Sequence, residues 1–339
     1  MRKFLVFVIL CLIILCGFQI HNLYLIVSSH QESLAAKDST YYTEIRQTEE
    51  DNEEYDIVYD VFINNEYDSS YEYYSEAVNY AKSITNSAIY EKHTSSWVWD
   101  NYPPFELNVN NVRIMYSSFA QAVADSAQYE NPYITFKNSS STVWEENYAN
   151  KGAYFMDVTP IKQLPELPRG CEVTSLTMLL NYKGVEVSKM TLADEIERHE
   201  NNPYKGFVGD MYSFSNSGYG VYHDPLFDLL HKYLPETAMD ITYCDFDDLY
   251  YLLDNNCPVV VIINSTYAKL PGSSFKLWKT DEENILITYS EHAVLITGYD
   301  EKYIYFNDPL GKTLRAEKTG FIEAWEQMGR QAVTVAPLN

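Results

Sequence analysis

Cysteine is scarce in this chain, with five in 339 residues. Cys11 and Cys16 lie in an apolar N-terminal run, which leaves Cys171, Cys244 and Cys257. Three is odd, so a complete disulfide framework is excluded and at least one of these thiols is unpaired within the chain. Cys244 and Cys257 flank "DFDDLYYLLDNN" and could pair or stay as two buried free thiols. Positive charge is scarce too, with 24 Lys and Arg against 48 Asp and Glu. A net charge of -24 without a basic patch argues against a nucleic-acid partner.

What is present begins with a hydrophobic run. Arg2 and Lys3 precede Phe4 to Val27, a stretch without a formal charge and long enough to span a bilayer, which takes about 20 residues. The expectation is a membrane anchor or signal peptide over 1–28, with the basic end inside and the rest extracytoplasmic. Cleavage near "VSS" at Val27 to Ser29 is the alternative. From Ser28 to Glu76 there are 14 acidic residues against Lys37 and Arg46, a local balance of 2 − 14 = −12. The part over 29–55 lacks apolar periodicity and reads as a self-repelling acidic stalk.

An internal repeat follows over 56–150. At an offset of 45, Ala77 falls on Ala122, Val78 on Val123, Asn86 on Asn131, Ile89 on Ile134 and Trp99 on Trp144. The pattern predicts two small α/β units, each with a strand, an alanine-containing helix, a second strand and a turn ending in "VW". The tryptophans are expected to anchor cores, with a binding surface for a cell-wall polymer or surface protein as the other use. Neither copy holds a His, Cys and Asp constellation.

The chemistry-bearing residues come later. In "QLPELPRGCEVTSLTMLLNYKG", Val173, Leu176 and Leu180 recur at helical spacing, so Cys171 opens a helix and Gly184 closes it. A cysteine at the positive end of a helix dipole is favoured as thiolate, although the same position suits a small core residue. In "SEHAVLITGYDEKYIYFNDPLGK", two adjacent antiparallel strands would bring His292 beside Asp308. Histidine beside a thiolate is its acid/base partner, and a carboxylate fixes the ring. Asp224, before Pro225, is expected to N-cap a helix rather than pair with His223 in catalysis. Glu172 has no assigned part, since an acid in a first helical turn can simply face solvent.

These segments, with "FIEAWEQMGRQAV", resemble the C39-like family of bacterial cysteine peptidases over roughly Phe155 to Pro337. The resemblance implies an α+β, papain-like domain over 151–339, in which a helix bearing the cysteine packs on an antiparallel sheet bearing His and Asp. It implies Cys171 as nucleophile, His292 as base, Asp308 as its orienter and Gln163 as an oxyanion donor beside the backbone N–H of Cys171. It calls for a peptide or protein substrate and for no cofactor or metal. The chain has no GxxxxGK[ST] P-loop, so it does not look like the ATP-driven exporters that carry related domains. The alternatives are a non-catalytic binding module on the same fold and a thiol acyltransferase.

Overall fold

The computed structural model describes residues 58–338. The expected anchor and stalk, with Cys11 and Cys16, lie outside the described residues. No described helix is long and apolar enough to cross a membrane.

The first sheet is built from β1 (Tyr59–Ile63), β2 (Glu66–Tyr71), β3 (Ser87–Glu91) and β4 (Ser96–Asp100), in the order β2-β1-β3-β4, with α1 (Tyr74–Ala81) between β2 and β3. A second sheet repeats that order: β5 (Phe105–Val109), β6 (Val112–Tyr116), β7 (Tyr133–Phe136) and β8 (Ser141–Glu145) run β6-β5-β7-β8, with α2 (Phe119–Ser126) before β7. Each unit has two strands more than the sequence pattern suggests, so that each expected strand is one half of a hairpin. Asn64 and Asn65 in one, Asn110 and Asn111 in the other, take positive φ in two-residue turns, a conformation that asparagine tolerates and that matches strand twist. The "VW" segments are strands β4 and β8 rather than turns. Their period is hidden because Trp97 is exposed while Trp99 is buried.

The two units differ in what they pack on. The first has a small core of its own, formed by Val61, Ala77, Val78, Ala81, Ile89 and Trp99. Apolar residues of the second, among them Leu107, Phe119 and Ile134, belong to the same continuous core as Cys171. The Trp144 indole N–H donates to Asp248 at 2.9 Å. The buried carboxylate of Asp254 accepts from the Tyr299 hydroxyl at 2.7 Å, from the Tyr148 hydroxyl at 3.1 Å and from the Lys151 backbone N–H at 2.9 Å. The expected boundary near 151 is therefore crossed by a hydrogen-bonded seam. Asp254→Ala strips one acceptor from three donors and is expected to cost about 3 kcal/mol or more, read as a lowered urea midpoint at unchanged slope.

The remaining chain forms β9 (Tyr154–Phe155), α3 (Cys171–Tyr182), α4 (Lys189–Glu195), β10 (Arg198–His199), β11 (Phe207–Val208), α5 (His223–Tyr233), β12 (Ala238–Asp240), α6 (Leu249–Asp254) and β13 (Val259–Asn264). After these come β14 (Lys276–Lys279), β15 (Asn284–Ile287), β16 (Glu291–Tyr299), β17 (Tyr303–Asp308), β18 (Lys312–Glu317), α7 (Lys318–Gln327) and β19 (Ala332–Val335). One seven-stranded sheet runs β12-β19-β13-β16-β17-β18, with β9 also on β16. All six residues of β13 are buried, as are eight of the nine of β16. Central strands covered on both faces need such continuous apolar runs, not alternation.

Helix α3 packs on β13, β16 and β17. Ten of its twelve residues are buried, Glu172, Thr174, Ser175 and Thr177 among them, so it is a core helix and not a surface helix with one apolar stripe. Two of the hydroxyls find partners inside, Ser175 donating to the Ala293 carbonyl across to β16 and Thr177 to the Val173 carbonyl one turn back, while the Thr174 hydroxyl is buried without one.

Candidate active site

Cys171 is the first residue of α3, preceded by Gly170. A Cβ at Gly170 would lie 2.6 Å from that of Leu167, so only glycine lets the proline-rich loop enter the helix this closely. The Cys171 backbone N–H is at a position where a helix offers no internal acceptor, which leaves it as a donor for the cleft.

His292 stands on β16, opposite Ile263 of β13. Strands β16 and β17 are antiparallel neighbours, so Asp308 returns beside His292, with the ring Nε2 3.3 Å from its Oδ1. That contact leaves Nδ1 as the ring nitrogen not engaged by Asp308. Burial pushes the Asp308 carboxyl up, but hydrogen bonds from His292, Tyr267 and the Leu310 N–H outweigh it and hold the group below its ordinary range. Tyr267 is the strongest of the partners that sequence reasoning missed. Its hydroxyl donates to Asp308 Oδ2 at 2.5 Å from a turn residue at φ 53, just past β13. A tyrosine in a loop carries no sequence signal of that contact.

Cys171, Gln163 and His292 line one cleft of about 890 Å3, walled by Tyr219, Trp278 and Tyr289. Gln163 is at the cleft, but its Nε2 donates to the carbonyls of Leu167 and Pro168 at 3.1 and 3.0 Å, and Oε1 is the atom left without a partner. Its amide hydrogens are thus committed to the loop that leads into α3. An oxyanion role requires that side chain to turn.

The thiolate expected at the helix end is also opposed. Burial pushes the Cys171 thiol well up, and the charges of Glu172 and Glu291 add to that, against a single lowering contact from Ala293. A helix terminus offers up to about 1 kcal/mol, which desolvation exceeds. Cys244 and Cys257 are free and buried, so no described disulfide forms, and burial raises both, Cys257 to about 12.

The second histidine of interest lies elsewhere. Asp224 is not the N-cap of α5: that place is held by Tyr222, without a side-chain cap, and Asp224 falls in the first turn. His223 donates from Nδ1 to Asp240 at 2.7 Å, with Asp224 at 3.4 Å, and all three face cavities other than the cleft. These three side chains could hold a cation, since their ligating atoms lie within 4.8 Å of one another. Burial alone would lower the His223 pKa, but the Asp240 hydrogen bond and charge, with Asp224, raise it above the ordinary histidine value. A raised folded pKa gives stability that is fully present below the unfolded value of about 6.5 and is lost as pH rises through the folded one. His223→Gln is expected to flatten the fall in urea midpoint above about pH 6.5.

Comparisons with known proteins agree with this region. The uncharacterized protein YvpB of Bacillus subtilis (strain 168) is 41% identical over 191 residues, which is 53% of this chain and 75% of that one. The crystal structure of a candidate C39-like peptidase from Bacillus anthracis matches with 45% identity and a TM-score of 0.54, covering 54% of this chain and 97% of the other. Residues 155–333, just over half of the chain and the part that carries Cys171, His292 and Asp308, match the Peptidase_C39 like family, to which this protein belongs.

Proposed function

We propose that this protein is a cysteine peptidase of papain-like fold that hydrolyses peptide bonds with Cys171, His292 and Asp308. The observation that carries the reading is the shared cleft: a cysteine at a helix N-terminus and a histidine held by a buried carboxylate line the same cavity. In the reaction, the Cys171 thiol proton passes to His292 and the sulfur attacks the scissile carbonyl. The tetrahedral oxyanion takes hydrogen bonds from the Cys171 backbone N–H and, once its side chain has turned, from Gln163. His292 then returns the proton to the leaving amine, and water cleaves the thioester. Asp308 keeps the ring in one orientation throughout, supported by Tyr267 and the Leu310 N–H.

The N-terminal run and the acidic stretch after it support a place outside the cell, tethered to the membrane or released by cleavage. The two small sheets over 59–145 would then present the peptidase domain to a wall polymer or surface protein. The deciding experiment incubates the full chain and its Cys171→Ser variant with a peptide library and analyses the products by mass. Hydrolysis products that vanish in the variant support the reading; cleavage retained by Cys171→Ser overturns it. Products extended by an added amine would redirect it to acyl transfer.

A further inference from the structure

Glu172 follows the nucleophile and Glu291 precedes the base, and the fold brings both carboxyls to the sulfur. Ligating atoms of Cys171, Glu172 and Glu291 all lie within 4.8 Å of one another. The thiol of Cys171 donates to Glu172 Oε2 at 3.2 Å, while Glu172 Oε1 accepts from the Val221 N–H at 2.8 Å. Glu172 has no exposed surface, and Glu291 Oε1 is buried with no partner. Gly220 presses its backbone against both carboxyls, and a Cβ there would collide with them. An acid in a first turn that could have faced solvent is instead part of a crowded, buried cluster with the reacting atom.

We propose that Glu172 is a lock on the nucleophile: its carboxylate holds the Cys171 proton on sulfur, Glu291 adds to that hold, and neutralising the two carboxyls frees the proton to pass to His292. The proposal rests on the peptidase reading for its meaning, but not for its test. No bond other than S–H changes: the proton leaves Sγ, the imidazole gains it, and the thiolate remains. Two carboxyls this close, away from water, each make the other harder to ionise, so the charge they set against the thiolate builds up only above the ordinary carboxylate range. Burial raises Glu172 despite its hydrogen bonds, and burial with the neighbouring Glu172 charge raises Glu291 well above the ordinary carboxylate range. Neutralisation by protons is therefore reached above the pH at which free carboxyls titrate. The other ionisable groups that bear on the cluster are His292 from β16, Tyr219 and Tyr222 from the loop before α5, and Tyr267 with its partner Asp308.

The test is alkylation of the folded full chain by iodoacetamide across a pH series, with modification at Cys171 resolved by peptide mapping from Cys244 and Cys257. Glu172→Gln keeps the shape of the side chain and removes the charge. It is expected to lower the pH of half-maximal Cys171 reactivity by a unit or more, seen as about a tenfold faster rate at about pH 8, above the range in which protons already neutralise the carboxyls of the unmodified chain. Glu172→Asp, which keeps the charge, should stay within about threefold of the unmodified chain. Glu291→Gln should accelerate less than Glu172→Gln, since it has no hydrogen bond to the thiol. A folded Glu172→Gln chain that alkylates at the parental rate or slower overturns the lock. If that variant does not fold, Glu291→Gln decides, and no acceleration there overturns it. Because the readout is the thiol and not turnover, cleavage retained by Cys171→Ser would defeat the peptidase reading without touching this result.

Discussion

His292→Ala is expected to bring peptide turnover to the level of Cys171→Ser, a loss of about 10^4-fold or more, in a chain that remains folded. His292 is paired along β16 with Ile263 and is itself buried, so its removal leaves the strand register to the backbone. Asp308→Asn should follow, at about 10^3 to 10^4-fold, because a neutral amide can hold the wrong tautomer of the ring. Tyr267→Phe should cost less, about tenfold, since Asp308 keeps the Leu310 N–H and His292. Gln163→Ala should fall between these two, at about a hundredfold, if the side chain turns to the oxyanion, and near unity if it stays on Leu167 and Pro168. The measurement is kcat/KM on one cleaved peptide, with thermal unfolding as a control for the fold. Wild-type turnover in a folded His292→Ala chain would refute the assignment of the base.

The largest effect on stability is expected at Trp325. It is fully buried on α7, lies edge-on to Phe246 with ring centres 5.6 Å apart, and donates its indole N–H to the Gln331 carbonyl at 3.0 Å. Its own carbonyl accepts from Arg330 and Met328 where α7 ends. Trp325→Ala opens a cavity and removes one of the two donors to the Gln331 carbonyl, which keeps the Ile262 N–H, so a loss of about 3 to 5 kcal/mol is expected, most of it from the cavity. Trp325→Phe should recover the packing but not the hydrogen bond, at a cost of about 1 to 3 kcal/mol. Denaturant unfolding of both variants separates the two contributions. Because α7 packs on β13, which pairs with β16, a chain that survives the alanine change should also show a faster loss of activity on warming.

Residues near each other along the chain, or on one hairpin, were legible without coordinates. The start of a helix at Cys171 follows from loop chemistry and apolar spacing. The pairing of His292 with Asp308 follows from two strands joined by a short turn, because antiparallel neighbours fix which residues meet. The likeness between the halves of 59–145 was readable for the same reason, since buried alanines and left-handed asparagines recur at nearly one offset.

Contacts made across long sequence separations were not legible. Tyr267 reaches Asp308 over 41 residues, Asp254 gathers Tyr148, Lys151 and Tyr299, and His223 takes Asp240 at 2.7 Å in addition to the adjacent Asp224 at 3.4 Å. Local pattern carries nothing about such pairs, because either partner is an ordinary polar residue on its own element. The state of the nucleophile was decided the same way. Helix position predicts a thiolate, but how deeply α3 is buried, and that Glu172 and Glu291 turn inward onto the sulfur, follows only from packing α3 against β16. Desolvation and neighbouring charge act through space and outweigh a helix-end field. The sequence by itself determined that a cysteine opens a helix and that His292 and Asp308 share a hairpin, because those relations are local, whereas only the tertiary structure decided that two carboxyls close on the sulfur, because that depends on how α3 packs on the sheet.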